Sequence, residues 1–100
     1  MNNNLIQIDE CDGGRKGTIK VSYSTLVEQL GLPNRKDDPV KIDASWGVKH
    51  SDGRKLFVWN YKNGPAYTGK GTIEDIDVWS YDGDDSLVEE LFGRGAFDLS

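Results

Sequence analysis

The stretch "KIDASWGVKHSDGRKLFVWNYK", residues 41–62, decides how the rest of the chain is read. In its first half Ile42, Ala44, Trp46 and Val48 alternate with Lys41, Asp43, Ser45 and Lys49. That period of two puts one set on each face of a strand. Asp52-Gly53 follows, a pair suited to the positive backbone angles of a tight hairpin turn. The return segment Lys55–Lys62 is apolar on both parities, with Leu56 and Val58 on one and Phe57, Trp59 and Tyr61 on the other. A strand apolar on both faces belongs at the centre of a sheet with material on each side.

Outward from this hairpin, "SYSTLVEQLGLP" (residues 22–33) reads as a helix. Tyr23, Leu26, Val27 and Leu30 form one stripe at i, i+3, i+4 and i+7. Ser22 or Ser24 caps its start, Gly31 fits the position after its end, and Pro33 stops continuation. Towards the C-terminus "IEDIDVWSY" (residues 73–81) alternates as a third strand, and "DGDDSLVEELFG" (residues 82–93) reads as a second helix. Its apolar face is Leu87, Val88, Leu91 and Phe92, and Ser86 with Glu89 has the spacing of a capping box. Upstream, "LIQID" and "TIKV" flank the Gly-rich "ECDGGRKG" and are expected to pair as an N-terminal hairpin. Two short amphipathic helices must bury their stripes on a common surface. The expected fold is therefore α+β: an antiparallel sheet of three to five strands with two short helices packed on one face. The chain is expected to be one domain over residues 1–100, with the hairpin (1–21) and the tail (94–100) peripheral.

One hundred residues support a single modest core. The single cysteine, Cys11, allows no intramolecular disulfide, which favours a reducing compartment. The opening "MNNNLIQIDE" has neither the basic nor the apolar region of a signal peptide, and no apolar run reaches membrane-spanning length. A cytoplasmic location without membrane contact is the expectation. The net charge of −5 is uneven: residues 73–100 hold one basic and nine acidic side chains, whereas residues 37–72 hold six basic and four acidic. The acidic third disfavours direct binding to a phosphate backbone and suits a basic protein surface or a solvated face.

Three motifs fall short of chemistry. "NGPAYTGKGT" (residues 63–72) matches seven positions of a phosphate-binding loop, but Gly71 stands where Ser or Thr must ligate magnesium, and a strand pattern follows instead of a helix. It reads as a Gly-hinged connection between strands. "DGDDS" begins like a calcium loop, but Leu87 replaces the required Gly and Gly93 the final Glu. His50 is the one histidine and has no zinc-ligand spacing around it. No catalytic residue, metal or cofactor is expected, and the chain reads as a non-enzyme.

The aromatic residues carry the remaining signal. By strand parity Phe57, Trp59 and Tyr61 share a face, as do Trp79 and Tyr81. If the helices cover Leu56, Val58, Ile76 and Val78, all five rings lie on the opposite face with Asp75 and Asp77, and with Lys62 at the edge. Aromatics with carboxylates and lysine make a partner-binding surface. Tyr67 and Lys70, from the Gly-rich connection, border it. The bland alternative is a second face covered by the N-terminal hairpin and the tail.

Taken in order, "YSTLVEQLGLPN", "VKIDASWGVKHSDG", "VWNYKNGPAYTGKG" and "IDVWSYDGDDSLVEELFG" resemble a family of small phage-encoded proteins of unassigned function. The family's pattern is a Tyr-x-x-Leu-Val helix, Gly-x-Pro-Asn, an Ala-x-Trp strand, an Asp-Gly hairpin, a Gly-x-x-Tyr-x-Gly loop and a Trp strand. The match spans about Tyr23 to Gly93. It departs at Leu30, where the family has Phe, and at Trp59-Asn60-Tyr61, where Tyr-Asp-Tyr is usual. The segment order is also similar to the two-helix, three-strand domains of outer-membrane assembly lipoproteins, which implies a shared fold at most. The phage resemblance implies a virus-encoded protein that contacts a host protein, for instance inhibiting a defence or nucleic-acid-processing enzyme. Two other functions fit the same residues. One is a nucleotide sponge, with Trp59 or Tyr67 stacking a base and Lys62 and Lys70 meeting phosphate; the other is a minor virion or assembly component.

Overall fold

The Asp52-Gly53 turn closes the hairpin that organises the sheet, with Gly53 at φ +101°. A computed structural model describes residues 1–10 and 14–97. Its strands are β1 (Leu5–Gln7), β2 (Gly17–Lys20), β3 (Ser45–His50), β4 (Lys55–Trp59) and β5 (Val78–Gly83). They form one antiparallel sheet in the order β1-β3-β4-β5-β2, with β4 at the centre as its two-sided apolar pattern requires. Two helices, α1 (Tyr23–Leu30) and α3 (Asp85–Phe92), supply Leu26, Leu30, Leu87, Val88 and Leu91 to one core cluster with Trp46, Val48, Leu56 and Val58. The fold is α+β with both of these helices on one face.

β1 and β2 do not pair with each other. β1 pairs with β3 at one edge of the sheet, and β2 with β5 at the other. Each satisfies the backbone groups of a strand that would otherwise be an open edge. Each also delivers a core residue, Leu5 and Ile19 respectively, so this segment is not peripheral. After β1 the segment of residues 8–10 lies over the sheet on the face away from the helices. Ile8 N–H donates to Gly47 O (2.9 Å), Lys55 Nζ donates to Glu10 Oε2 (2.8 Å), and Lys16 N–H donates to Tyr81 O (2.8 Å). Gly47 is needed beneath it, because a Cβ there would lie 2.7 Å from the Ile8 carbonyl oxygen. Cys11 lies outside the described residues.

β3 begins at Ser45 rather than Lys41. The side-chain oxygen of the fully buried Asn60 accepts from the amides of Asp43 (2.8 Å) and Ala44 (3.0 Å), standing in for a neighbouring strand. β5 runs from Val78, not Ile73. Thr72 and Asp75 form a capping box that winds Ile73–Asp75 into a 3-10 turn, with Thr72 N–H donating to Asp75 Oδ2 at 2.8 Å. Ile76 then drops into the core from the loop. Tyr81 is thereby opposite Val58 and Trp59 opposite Ser80, so Trp79 and Tyr81 face the helices.

Both indoles are wholly buried there, and both N–H groups are satisfied: Trp46 Nε1 donates to Gly31 O (2.9 Å) and Trp79 Nε1 to Val21 O (2.8 Å). Their rings meet edge to face at 5.3 Å, and Tyr23 packs against both. A satisfied indole brings about 150–250 Å² of apolar area to the core without an orphaned donor, which is why the sheet turns this pair inward.

The helix ends are capped in two ways. Ser22 Oγ accepts from Thr25 N–H (3.1 Å) and starts α1, and Gly31 at φ +85° ends it. α3 starts at Asp84, not through a Ser86–Glu89 box, and the Asp84 carboxylate accepts from Lys55 N–H at 3.2 Å. That bond ties the helix to the central strand. The tail docks: Ala96 is buried, Phe97 bridges to Ile19, and its ring lies 6.1 Å from that of Tyr81. Leu99 lies outside the described residues. No helix is long and apolar enough to cross a membrane among the described residues.

Candidate functional site

The β4–β5 connection is built on one polar hub. Asn60 Nδ2 donates to Asp43 Oδ2 (2.8 Å), and Asp43 Oδ1 accepts from Ala66 N–H (2.9 Å). This pins a one-turn helix, α2 (Pro65–Thr68), whose Pro65 stands in the first turn, where its missing N–H costs nothing. Gly64 sits against Asp43, Ile76 and Asn60, leaving no room for a Cβ. "NGPAYTGKGT" is thus a strand-to-strand connection, as expected, and its glycines serve packing and turns. Gly69 adopts a left-handed conformation to end α2.

The hub lifts a short aromatic edge out of the sheet. Lys62 is the one non-Gly residue of positive φ (59°) among the described residues. Its ammonium lies 5.3 Å from the Tyr61 ring centroid and 5.5 Å from that of Tyr67. Tyr61 is 47% exposed and Tyr67 51%. Trp59, half-buried, continues this edge inward and lines an open groove of about 320 Å³ with Arg15, Tyr61 and Ser80. Arg15 makes no hydrogen bond or ion pair with the described residues.

The expected five-ring surface is therefore divided. Trp59, Tyr61 and Tyr67 come together at one end of the second face. Phe57 shares that face but is only 5% exposed, because the Arg35 guanidinium covers its ring at 5.3 Å. Trp79 and Tyr81 lie on the opposite, helix-covered face. The Asp75 carboxylate is held by the Thr72 cap, whereas Asp77 is exposed just before β5, its backbone carbonyl accepting from Val21 N–H. Lys70 is exposed on the connection, its amide donating to Thr68 Oγ1 (3.2 Å). The sequence-based surface omitted Arg15, Arg35 and Ser80. Ser80 was legible once the β5 register was known; Arg15 and Arg35 reach the face from connections, and nothing local marks them.

A second polar cluster stands at the hairpin tip. Arg54 bonds Asp52 (2.7 Å) and Glu90 (2.8 Å), and His50 contacts the same two carboxylates at 3.1 and 3.3 Å. The Arg54 guanidinium holds the Asp52 carboxyl down at about 2 and lowers that of Glu90. Ser86 Oγ is reached by Arg54 (3.3 Å) rather than by His50, so no activated nucleophile is assembled. The cluster instead fastens α3 to the hairpin. At the first residue of α3, next to Ser86, Tyr81 donates to Asp85 (3.0 Å), and burial together with that carboxylate pushes its hydroxyl up to about 12. Lys16 and Tyr81 in turn lower Asp85. Among the described residues no group of three or more His, Cys, Asp or Glu is placed to hold a metal ion. No family model, characterised protein or solved structure matches this chain.

Proposed function

We propose that this chain is a small non-enzymatic binding protein that engages a protein partner through the Trp59–Tyr61–Tyr67 edge. The observation that carries this reading is the convergence of a half-buried Trp59, a half-exposed Tyr61 and an Arg15 without an ion pair among the described residues on one open groove, with the half-exposed Tyr67 joined to its border through Lys62. Those are the side chains that dominate interface energies, and they stand on a backbone held rigidly by the Asn60–Asp43 hub. The strained Lys62 conformation supports the same reading, since such strain persists where surrounding structure enforces a functional placement. The resemblance over Tyr23–Gly93 supports a host protein as the partner, the host cytoplasm as the compartment, and inhibition of a defence or nucleic-acid-processing enzyme as the consequence.

The test is co-isolation of the partner from host cells with wild-type protein and two variants. Trp59→Ala is expected to lose the partner, and Glu28→Ala, on the exposed side of α1, to retain it. Retention by a folded Trp59→Ala variant overturns the reading.

A further inference from the structure

The register places the charges of the second face in rows. Thr18, Ser80, Trp59 and Ser45 lie in one row across β2, β5, β4 and β3, and Lys20 and Val78 lie in the next. Tyr61, two residues beyond Trp59 and past the end of β4, lines the groove with it. Arg15 lines the groove, Lys20 follows Thr18 on the same face of β2, and Lys62 stands over the Tyr61 ring at the groove's border. Neither Arg15 nor Lys20 has an ion-pair partner among the described residues, and the Lys62 ammonium meets only the two tyrosine rings. Asp82, opposite Phe57, stands on this face in the row beside that of Trp59 and Ser80. Glu74 and Asp75 stand in the 3-10 turn before β5, and Asp84, Asp85, Glu89 and Glu90 on α3 and its cap, where Lys16, Arg54 and Arg94 hold Asp85, Glu90 and Glu89. Arg15 and Lys20 thus leave positive charge beside the aromatic groove of a chain whose net charge is −5.

Resting on the contact surface assigned above, we propose that the occupant of this groove is an acidic segment of the partner protein. An apolar side chain of the segment seats on Trp59, and its carboxylates meet Arg15 and Lys20. Charge complementarity selects this occupant over a basic one. A single-stranded nucleic acid is disfavoured because the groove offers two rings, Trp59 and Tyr61, rather than a longer series of stacking platforms, and the −8 of residues 73–100 opposes a phosphate at every nucleotide. Carboxylates in a peptide are spaced more sparsely and bring apolar neighbours for Trp59.

The experiment follows the Trp59 indole N–H by NMR, with the buried Trp46 and Trp79 signals reporting that the fold is intact. The probes are a short synthetic peptide of Asp and Glu around a central Leu, the same peptide with Lys in place of the acids, and oligothymidine. The acidic peptide is expected to shift the Trp59 signal, with binding weakened by raised salt and at least about tenfold in Arg15→Glu. An Arg94→Glu control, on the far side of α3, is expected to bind as wild type. Equal binding of the Lys peptide, a shift with oligothymidine but not with the acidic peptide, or indifference to Arg15→Glu overturns the proposal. If Trp59→Ala loses the partner while the acidic peptide leaves Trp59 unmoved, the surface stands and the acidic occupant falls. If a folded Trp59→Ala keeps the partner, the surface itself falls.

Discussion

The two faces of this sheet hold aromatic rings in similar number and use them in opposite ways. On the helix-covered face Trp46 and Trp79 are fully buried, each indole N–H bonded to a backbone carbonyl. On the second face Phe57 is capped by Arg35, and from Trp59 outward the rings emerge into solvent. The difference is in what each face has to cover it. Two amphipathic helices close the first; the second receives only side chains from connections, among them Arg15, Arg35 and Ile42, which leave Trp59 half-buried. Aromatic content alone therefore distinguishes neither core from contact surface. Backbone partners for the polar ring atoms, and a layer above the ring, do.

Substitutions can break this comparison, beginning with the largest effect. Trp79→Ala should cost about 3–5 kcal/mol in urea denaturation, because it empties a closed core. Trp59→Ala should cost only about 1 kcal/mol by the same measurement, because its ring is part solvated. Equal losses would mean that the two faces are equally built for stability. Asn60→Ala should cost about 2–3 kcal/mol, leaving the Asp43 and Ala44 amides and the Asp43 carboxylate without their partner. It should also release Tyr61 and Tyr67, seen as faster amide exchange over residues 61–69.

The polar contacts that α3 makes with the hairpin tip and with β5 sharpen the contrast through pH. The folded Asp52 value of about 2 lies below the ordinary carboxylate value of about 3.9. Its stabilisation is thus complete above about pH 4 and is lost as pH falls towards 2. Arg54→Gln should remove that acid dependence and raise the midpoint pH of acid unfolding. Tyr81 has the opposite sign, its folded value of about 12 standing above the ordinary value of about 10. Its contribution is complete below about pH 10 and declines as pH rises towards 12. In an ultraviolet titration Asp85→Asn should bring Tyr81 down only part of the way, since burial, the larger cause, remains. A return to the ordinary value would mean that the carboxylate, and not the helix-covered face, controls this ring.

Much of this fold was legible in local patterns. The 41–62 hairpin, the central place of β4, the Ser22 and Gly31 ends of α1 and the apolar stripe of α3 all follow from rules that act within a few residues. Two elements misled for identifiable reasons. "IEDIDVWSY" alternates well enough to suggest a strand from Ile73, but the Thr72–Asp75 cap diverts its first residues into a 3-10 turn, and the strand's facing is then set by its pairing with β4. That reversal moved Trp79 and Tyr81 from the expected contact surface into the core. "LIQID" and "TIKV" read as a hairpin because they are close in sequence, although the open edges of the sheet were the stronger attraction. At the candidate site, Trp59, Tyr61 and Tyr67 were found by parity and proximity, whereas Arg15 was invisible, because it arrives from a connection between opposite edges.

The sequence by itself determined the α+β class, the two helices, the hairpin and the absence of a phosphate-loop pattern from "NGPAYTGKGT". These depend on side-chain period, turn chemistry and capping, which are local. Only the tertiary structure decided which rings are buried, which edge each short strand joins, and which cation stands beside Trp59. Those outcomes depend on strand register and on competition for the same surface, where residues far apart in the chain are weighed against one another.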